Sequence, residues 1–245
     1  MATDARAARA DTRLPQAPPV RLYVEYRPFP RQRVFHECAA DEALFGGAAG
    51  PGKSLAVLME MLAQAVETPG NEVILFRRTY AQLEATHIKW SLEGAPGPGR
   101  SGMFPRQIAA YNQQKKCWTF AHGSRVWFGH CQHEHDIYDY QGAEFGGAAV
   151  DEVTEWSEPM FRFLIRLVRS VVPGVWPRLR CGSNPLGRGY AWARARWVAP
   201  VLAGRVAPDQ VWRPEPTEDN PEPMTRAYVP ARHGDNPVLI QNDPG

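Results

Sequence analysis

Two spacings of apolar residues organise this chain. Short solid runs read as buried strands: Ala43-Leu44-Phe45, Glu72-Val73-Ile74-Leu75-Phe76 and Leu179-Arg180-Cys181-Gly182, all near turn residues or loop glycines. Helical spacing lies between them. Leu55, Leu58, Met59, Leu62 and Val66 place one stripe on a helix that begins at Lys53, and Gln82, Leu83 and Ile88 mark another. Met160, Leu164, Leu167, Val168 and Val171 predict a helix over 157–172, with Arg162, Arg166 and Arg169 on the opposite face. Ser157 and Glu158 supply its start and Pro173-Gly174 its stop. Residues 118–120 and 126–128 flank Gly123 as a β-hairpin would. A short helix is expected over 31–36 and an extended segment over 20–26.

The joints are equally readable. Thr68-Pro69-Gly70-Asn71 is a turn, and Gly94-Ala95-Pro96-Gly97-Pro98-Gly99 excludes regular structure. Residues 1–19, rich in Ala, Arg, Asp and Pro without an apolar period, are expected to form a loose tail. Residues 20–210 carry the core, and 211–245, with a proline-rich connector over 213–223, form a lid or linker segment.

Composition narrows the class. At 245 residues, 44% hydrophobic and 22% charged, the composition is ordinary for a soluble globular protein, with room for one sizeable core or one core plus a small appendage. Its net charge of +2 means that a nucleic-acid surface must come from local clustering. Lys115, Lys116 and Arg125 beside the hairpin are one such group, although a solvated hairpin edge is the commoner reason for such charges. Four widely spaced cysteines read as reduced thiols. Three histidines and a cysteine within 129–136 invite a zinc reading, but no second ligand pair stands at a suitable distance. No apolar run has the length to cross a membrane.

The chemistry concentrates at Gly47-Ala48-Ala49-Gly50-Pro51-Gly52-Lys53-Ser54, a full G-x-x-x-x-G-K-S phosphate-binding loop. Its glycines let the backbone close around phosphate oxygens with N–H groups turned inward. Lys53 is expected on the β- and γ-phosphates of ATP, and the Ser54 hydroxyl on Mg²⁺. A strand runs into the loop and a helix leaves it, as the motif requires. Further along, Gly146-Gly147-Ala148-Ala149-Val150 leads a small-residue strand into Asp151-Glu152. Asp151 is expected to bind the metal and Glu152 to activate the attacking water.

Other candidates carry two readings each. Gln32 has an amide that donates and accepts at once, as an adenine edge requires, but an exposed helix glutamine fits the spacing equally. Arg77 and Arg78 end a core strand where parallel sheets place ligand crevices, or else cap a surface. Ser183-Asn184-Pro185 is a γ-phosphate sensor or a turn.

Taken in order, these patterns resemble the large terminase subunit of tailed bacteriophages, in its N-terminal packaging ATPase. Arg-Pro-Phe-Pro-Arg-Gln ends at Gln32, and Leu-Phe-Arg-Arg-Thr-Tyr ends at Tyr80. Tyr-Gln-Gly-Ala-Glu-Phe precedes Val150-Asp151-Glu152, Gly-Ser-Asn-Pro ends at Pro185, and Asp235-Asn236-Pro237-Val238-Leu239 lies near the end. The resemblance covers about residues 20–245. It implies an α/β fold of the ASCE, RecA-like P-loop NTPase class, a mostly parallel central sheet flanked by helices, with a small C-terminal lid subdomain.

It further implies an ATPase that drives double-stranded DNA into a procapsid. The partners would be the portal protein and the small terminase subunit, the active form a homo-oligomeric ring, and the place the host cytoplasm. Ser183 and Asn184 become the coupling motif, and Gln32 takes the adenine role. A nuclease domain would follow this segment, so DNA cleavage is not expected of it. Many terminases carry an arginine inside the loop where this chain has Ala48-Ala49, leaving Arg77, Arg78 or a neighbouring subunit to supply that cation. Another P-loop translocase or helicase is the alternative, but no helicase-like motif run follows Glu152. A non-hydrolysing scaffold would be expected to lack Lys53 or Glu152.

Overall fold

Strands β1 (Glu42–Gly47) and β2 (Glu72–Arg77) have buried residues on both faces, as strands covered on either side by helices must. The computed structural model describes residues 24, 26–96, 101–218 and 220–242, so the expected tail 1–19 lies outside it. The remaining strands are β3 (Ala109–Asn112), β4 (Cys117–Phe120), β5 (Arg125–His130), β6 (Gly147–Asp151), β7 (Arg178–Ser183) and β8 (Arg226–Ala231). They form one sheet in the order β3-β4-β5-β2-β6-β7-β1-β8.

From β5 to β8 every pairing is parallel, while β3 and β4 extend the sheet as an antiparallel hairpin pair. The register aligns Arg77 with His130, Phe76 with Val150, Asp151 with Gly182, Gly46 with Ser183, and Gly47 with Ala231. Every parallel strand therefore ends at the same edge, which is where parallel sheets build their sites.

One face is covered by α1 (Pro30–His36) and α2 (Lys53–Glu67), with the helical run 80–93 beside them. Phe35, Val57, Leu58, Met61, Val73 and Leu75 are among the residues packed there, and each fully buried large aliphatic contributes about 1.5–3 kcal/mol. The other face holds Leu44, Ile74, Phe76, Trp156, Phe161 and Trp197. The low strand propensity of β6 has a steric cause. A Cβ at Gly147 would lie 1.8 Å from Gln64 Oε1 on α2, so this strand is made small by the helix crossing it.

The helical run 80–93 consists of α3 (Tyr80–Leu83), a π-turn over Glu84–Ile88, and α4 (Lys89–Glu93). Thr79 caps it, its Oγ1 accepting from the Gln82 N–H while Gln82 Oε1 accepts from the Thr79 N–H. A second interrupted run joins α6 (Tyr190–Ala193) to α7 (Ala199–Leu202) through the π-turn Arg194–Val198.

Two expectations are corrected. The helix expected over 157–172 is α5 (Glu158–Ile165). Phe145, entering β6, takes the backbone of Leu167 and Arg169 into a parallel bridge, which stops the helix and leaves Val171 87% exposed. The boundary expected at 210/211 also moves. β8 pairs with β1 along its length, so residues 226–231 belong to the core sheet rather than to a lid. A last helix, α8 (Pro237–Asn242), follows it. Among the described residues no helix is long and apolar enough to cross a membrane.

Candidate active site

The loop 47–54 leaves β1 and enters α2 at Lys53, whose side chain is buried although it carries a charge. The Lys53 ammonium donates to the Ala48 carbonyl and, at 2.9 Å, to Asn184 Oδ1. Burial lowers its proton affinity, and the nearby Glu152 and Asp151 carboxylates oppose that effect. Ser54 follows as the second residue of α2. Ala49 and Gly50 are exposed at the crest, Ala48 is half-buried and Pro51 is buried. The loop is tied down on its far side, with the Ala48 N–H donating to the Ala231 carbonyl and Asn236 Nδ2 to the Gly50 carbonyl.

Asp151 ends β6 fully buried. Its Oδ2 meets Arg77 Nη1 at 2.5 Å and His87 Nε2 at 3.2 Å. Burial alone would raise its proton affinity, but His87 and Arg77 together outweigh it and hold the carboxyl well below the usual carboxylate range. Asp151 Oδ1 is buried without a hydrogen-bond partner. It faces β7, where a Cβ at Gly182 would lie 2.9 Å from it and 3.8 Å from Lys53 Cβ. An unpartnered buried carboxylate oxygen costs more than about 1–3 kcal/mol. This unpartnered carboxylate oxygen and the Ser54 hydroxyl are oxygen donors of the kind Mg²⁺ takes.

Glu152 takes a left-handed backbone, φ 53° and ψ 54°. That conformation costs a non-glycine residue about 1–2 kcal/mol, and such cost gathers where geometry serves a site. It turns the half-buried carboxylate toward β7. Asn184 Nδ2 donates to Glu152 Oε1 at 3.0 Å, and the Asn184 N–H to Oε2 at 3.3 Å. Burial and the neighbouring Asp151 raise the proton affinity of Glu152. The planar amide of Asn184 thus joins Lys53 on one side to Glu152 on the other. Ser183 anchors this turn, its hydroxyl 2.6 Å from Thr154 Oγ1.

Lys53, Asp151, Glu152, Ser183 and Asn184 therefore converge, and Arg77 joins them through Asp151. Arg78 does not. Its guanidinium lies over the Trp156 ring and donates to the Gln132 carbonyl and to Met160 Sδ. Gln32 is 2% exposed and sits beneath the loop rather than in an open base site. Its Nε2 donates to the Gly52 carbonyl at 3.0 Å and its Oε1 accepts from the Phe29 N–H at 2.9 Å. His133 and His135 stack on each other at an exposed position.

Sequence reasoning missed His87, which is completely buried. Thr86 Oγ1 donates to the Gln82 carbonyl at 2.6 Å and so accepts from His87 Nδ1 at 2.9 Å. The Nε2 side lies 3.2 Å from Asp151 Oδ2, and hydrogen bonding and charge from this ring both lower the proton affinity of Asp151. The π-turn that carries His87 leaves no periodic signal.

Comparison with known proteins agrees with this geometry. The fold matches the large terminase of a thermophilic bacteriophage with a TM-score of 0.59 at 14% identity, over 88% of this chain and 50% of that one. The same protein in complex with ATP-gamma-S gives 0.56 at 14% identity, over 88% and 47%. The large terminase ATPase domain of Thermus phage P74-26 gives 0.51 at 14% identity, over 89% and 86%. The chain thus spans about half the length of the first of these two terminases. No curated protein sequence matches it. The family model for the terminase large subunit, T4likevirus-type, N-terminal, matches residues 44–166, from the strand before the phosphate loop to the helix after Glu152. The chain belongs to that family of terminase large-subunit N-terminal domains.

Proposed function

We propose that this domain hydrolyses ATP and couples hydrolysis to the movement of double-stranded DNA into a procapsid. The observation that carries this reading is the Asn184 amide, held between the lysine of the phosphate loop and the carboxylate that follows β6. Lys53 binds the β- and γ-phosphates and neutralises charge as the terminal phosphoryl group leaves. Glu152 accepts the proton of the attacking water, and its raised proton affinity makes it a better base than an exposed glutamate. Ser54 and Asp151 would hold Mg²⁺, which would supply charge neutralisation at the terminal phosphates. Asn184 feels the γ-phosphate position through Lys53 and Glu152 and passes it to β7.

The catalytic groups lie toward β6 and β7, so the nucleoside end leaves toward β8. A cleft of about 250 Å³ opens there, lined by Arg31, Pro208, Asp209, Pro230, Arg232 and Asp235. Ala48 and Ala49 bring no charge to the γ-phosphate, and Arg77 is engaged by Asp151. The completing cation then comes from a neighbouring copy in a ring, at the portal and with the small subunit, in the host cytoplasm. Full activity in a dilute monomer would refute that part.

The test is ATP turnover by the wild type, Lys53→Ala and Glu152→Gln, at high protein concentration and with portal present. Each substitution is expected to lower turnover by about 10²-fold or more. Losses well below that in both variants would remove the site assignment.

A further inference from the structure

We infer that the turn 113–116, between β3 and β4, is a contact for the phosphate backbone of double-stranded DNA. The inference rests on the motor reading above, which leaves the DNA-gripping residues unassigned.

Several described cations face no carboxylate within ion-pairing distance, Arg33, Lys89, Arg166, Arg194 and Arg205 among them. Among the described residues, only at Lys115-Lys116 do two such cations stand side by side in the sequence. Arg31, Arg125, Arg162, Arg169, Arg178 and Arg196 each face a carboxylate within 3 Å. Lys115 and Lys116 have no carboxylate partner within ion-pairing distance among the described residues. The turn reads Gln113-Gln114-Lys115-Lys116, without an acidic residue, and its first three residues are exposed. Arg125, the third cation of this group in the sequence, is paired with Glu72 at 2.8 Å and contributes little free charge.

The turn is also built rather than loose. Asn112 Oδ1 accepts from the Lys115 N–H at 2.9 Å, and the Lys116 carbonyl accepts from the Phe128 N–H at 3.0 Å. Lys116 takes a left-handed φ of 52°, and its ammonium lies 3.8 Å from the centre of the Tyr80 ring. An ammonium held over a ring keeps its charge while losing rotamer freedom, so a phosphate meets a preset cation. Glu84, one helical turn beyond Tyr80, lines the cleft behind the turn.

The turn is well placed to report to the site. β4 runs antiparallel to β5, so the turn before Cys117 lies at the edge where the parallel strands end. It stands three strand spacings from β6, about 14 Å. The path is short: Lys116 bears on Tyr80, Tyr80 opens the helix three residues after Arg77, and Arg77 holds Asp151. A backbone phosphate bound here pulls on the segment that fixes the metal-binding carboxylate.

Fluorescence anisotropy of a labelled duplex of about 30 base pairs, from about 50 to 200 mM salt, tests this. Lys115→Ala with Lys116→Ala should weaken binding about tenfold or more and reduce the slope of log K against log salt by about 2. A control of equal charge loss, Arg162→Ala with Arg205→Ala, should stay within about twofold of wild type. Wild-type affinity and slope in the lysine variant, an equal loss in the control, or no duplex binding by the wild type would each overturn the inference. Binding of a fluorescent ATP analogue is measured on the same samples. Nucleotide binding absent, or insensitive to Lys53→Ala, sinks the ATPase reading alone, whereas the duplex data judge the turn.

Discussion

Replacing Asn184 by aspartate changes one atom's chemistry at the centre of the site. The Nδ2 that donates to Glu152 Oε1 at 3.0 Å becomes an oxygen that repels it. Two carboxylates about 4 Å apart at an effective dielectric of 20 repel by about 4 kcal/mol. Solvent reaching the half-buried Glu152 and the Lys53 ammonium, bound to the other side-chain oxygen at 2.9 Å, reduce this to about 1–3 kcal/mol. Since 1.36 kcal/mol corresponds to one pH unit, the acidic limb of the pH profile should rise by about 1–2 units. The sign follows from the role proposed for Glu152. It must be ionised to accept a proton, and its proton affinity is already raised by burial and Asp151. A third carboxylate moves it further in the same direction. The assay is kcat/KM for ATP across about pH 5 to 9, with Asn184→Ala as the comparison, which removes the donor without adding charge and should move the limb less. A fall in rate with the limb unmoved in Asn184→Asp would show that Glu152 is not the titrating base, and the mechanism would fail.

Gly182→Ala places a methyl 2.9 Å from Asp151 Oδ1 and 3.1 Å from Val57 Cγ2. Overpacking of this kind costs about 1–3 kcal/mol, so Tm should fall by about 2–4 °C per kcal/mol, with a raised Mg²⁺ requirement; an unchanged melt would refute the close approach. Gln32→Ala removes two hydrogen bonds that join α1 to the loop, and should weaken ATP and GTP binding in parallel. A loss confined to ATP would return Gln32 to the adenine role. Asp151 has a folded-state proton affinity below its unfolded one, so its stabilising contribution is complete above the usual carboxylate range. That contribution is lost as pH falls below about 4. Acid melts of Asp151→Asn should therefore be shallower than those of the wild type, and equal slopes would contradict the ion pairs seen at Oδ2.

The sequence carried the parts of the site that depend on backbone pattern. The loop 47–54 and the strand into Asp151-Glu152 are local signals, and they needed no tertiary information. What it could not carry were the side chains delivered from other elements. His87 reaches Asp151 from a π-turn, whose wider winding breaks the spacing on which helical reading depends. Arg77 and Arg78 are adjacent, yet Arg77 closes β2 and reaches Asp151, while Arg78, in the bend just after the strand, lies over Trp156. Spacing alone cannot say which neighbour lies in the site. β8 escaped notice because six residues with a proline read as linker until β1 is beside them. The stripe ending at Val171 failed for a similar reason, since Phe145 competes for the same backbone groups.

The backbone at Glu152 bears on how this domain would answer selection. Glycine is at home at φ 53°, so Glu152→Gly trades a conformational cost of about 1–2 kcal/mol for the loss of the proposed base. A library screened only for heat resistance would then collect its dead members at the reactive centre. Screened for turnover, it would keep glutamate and accept the lower melting point. Residue 152 is a single position at which durability and work are set against each other.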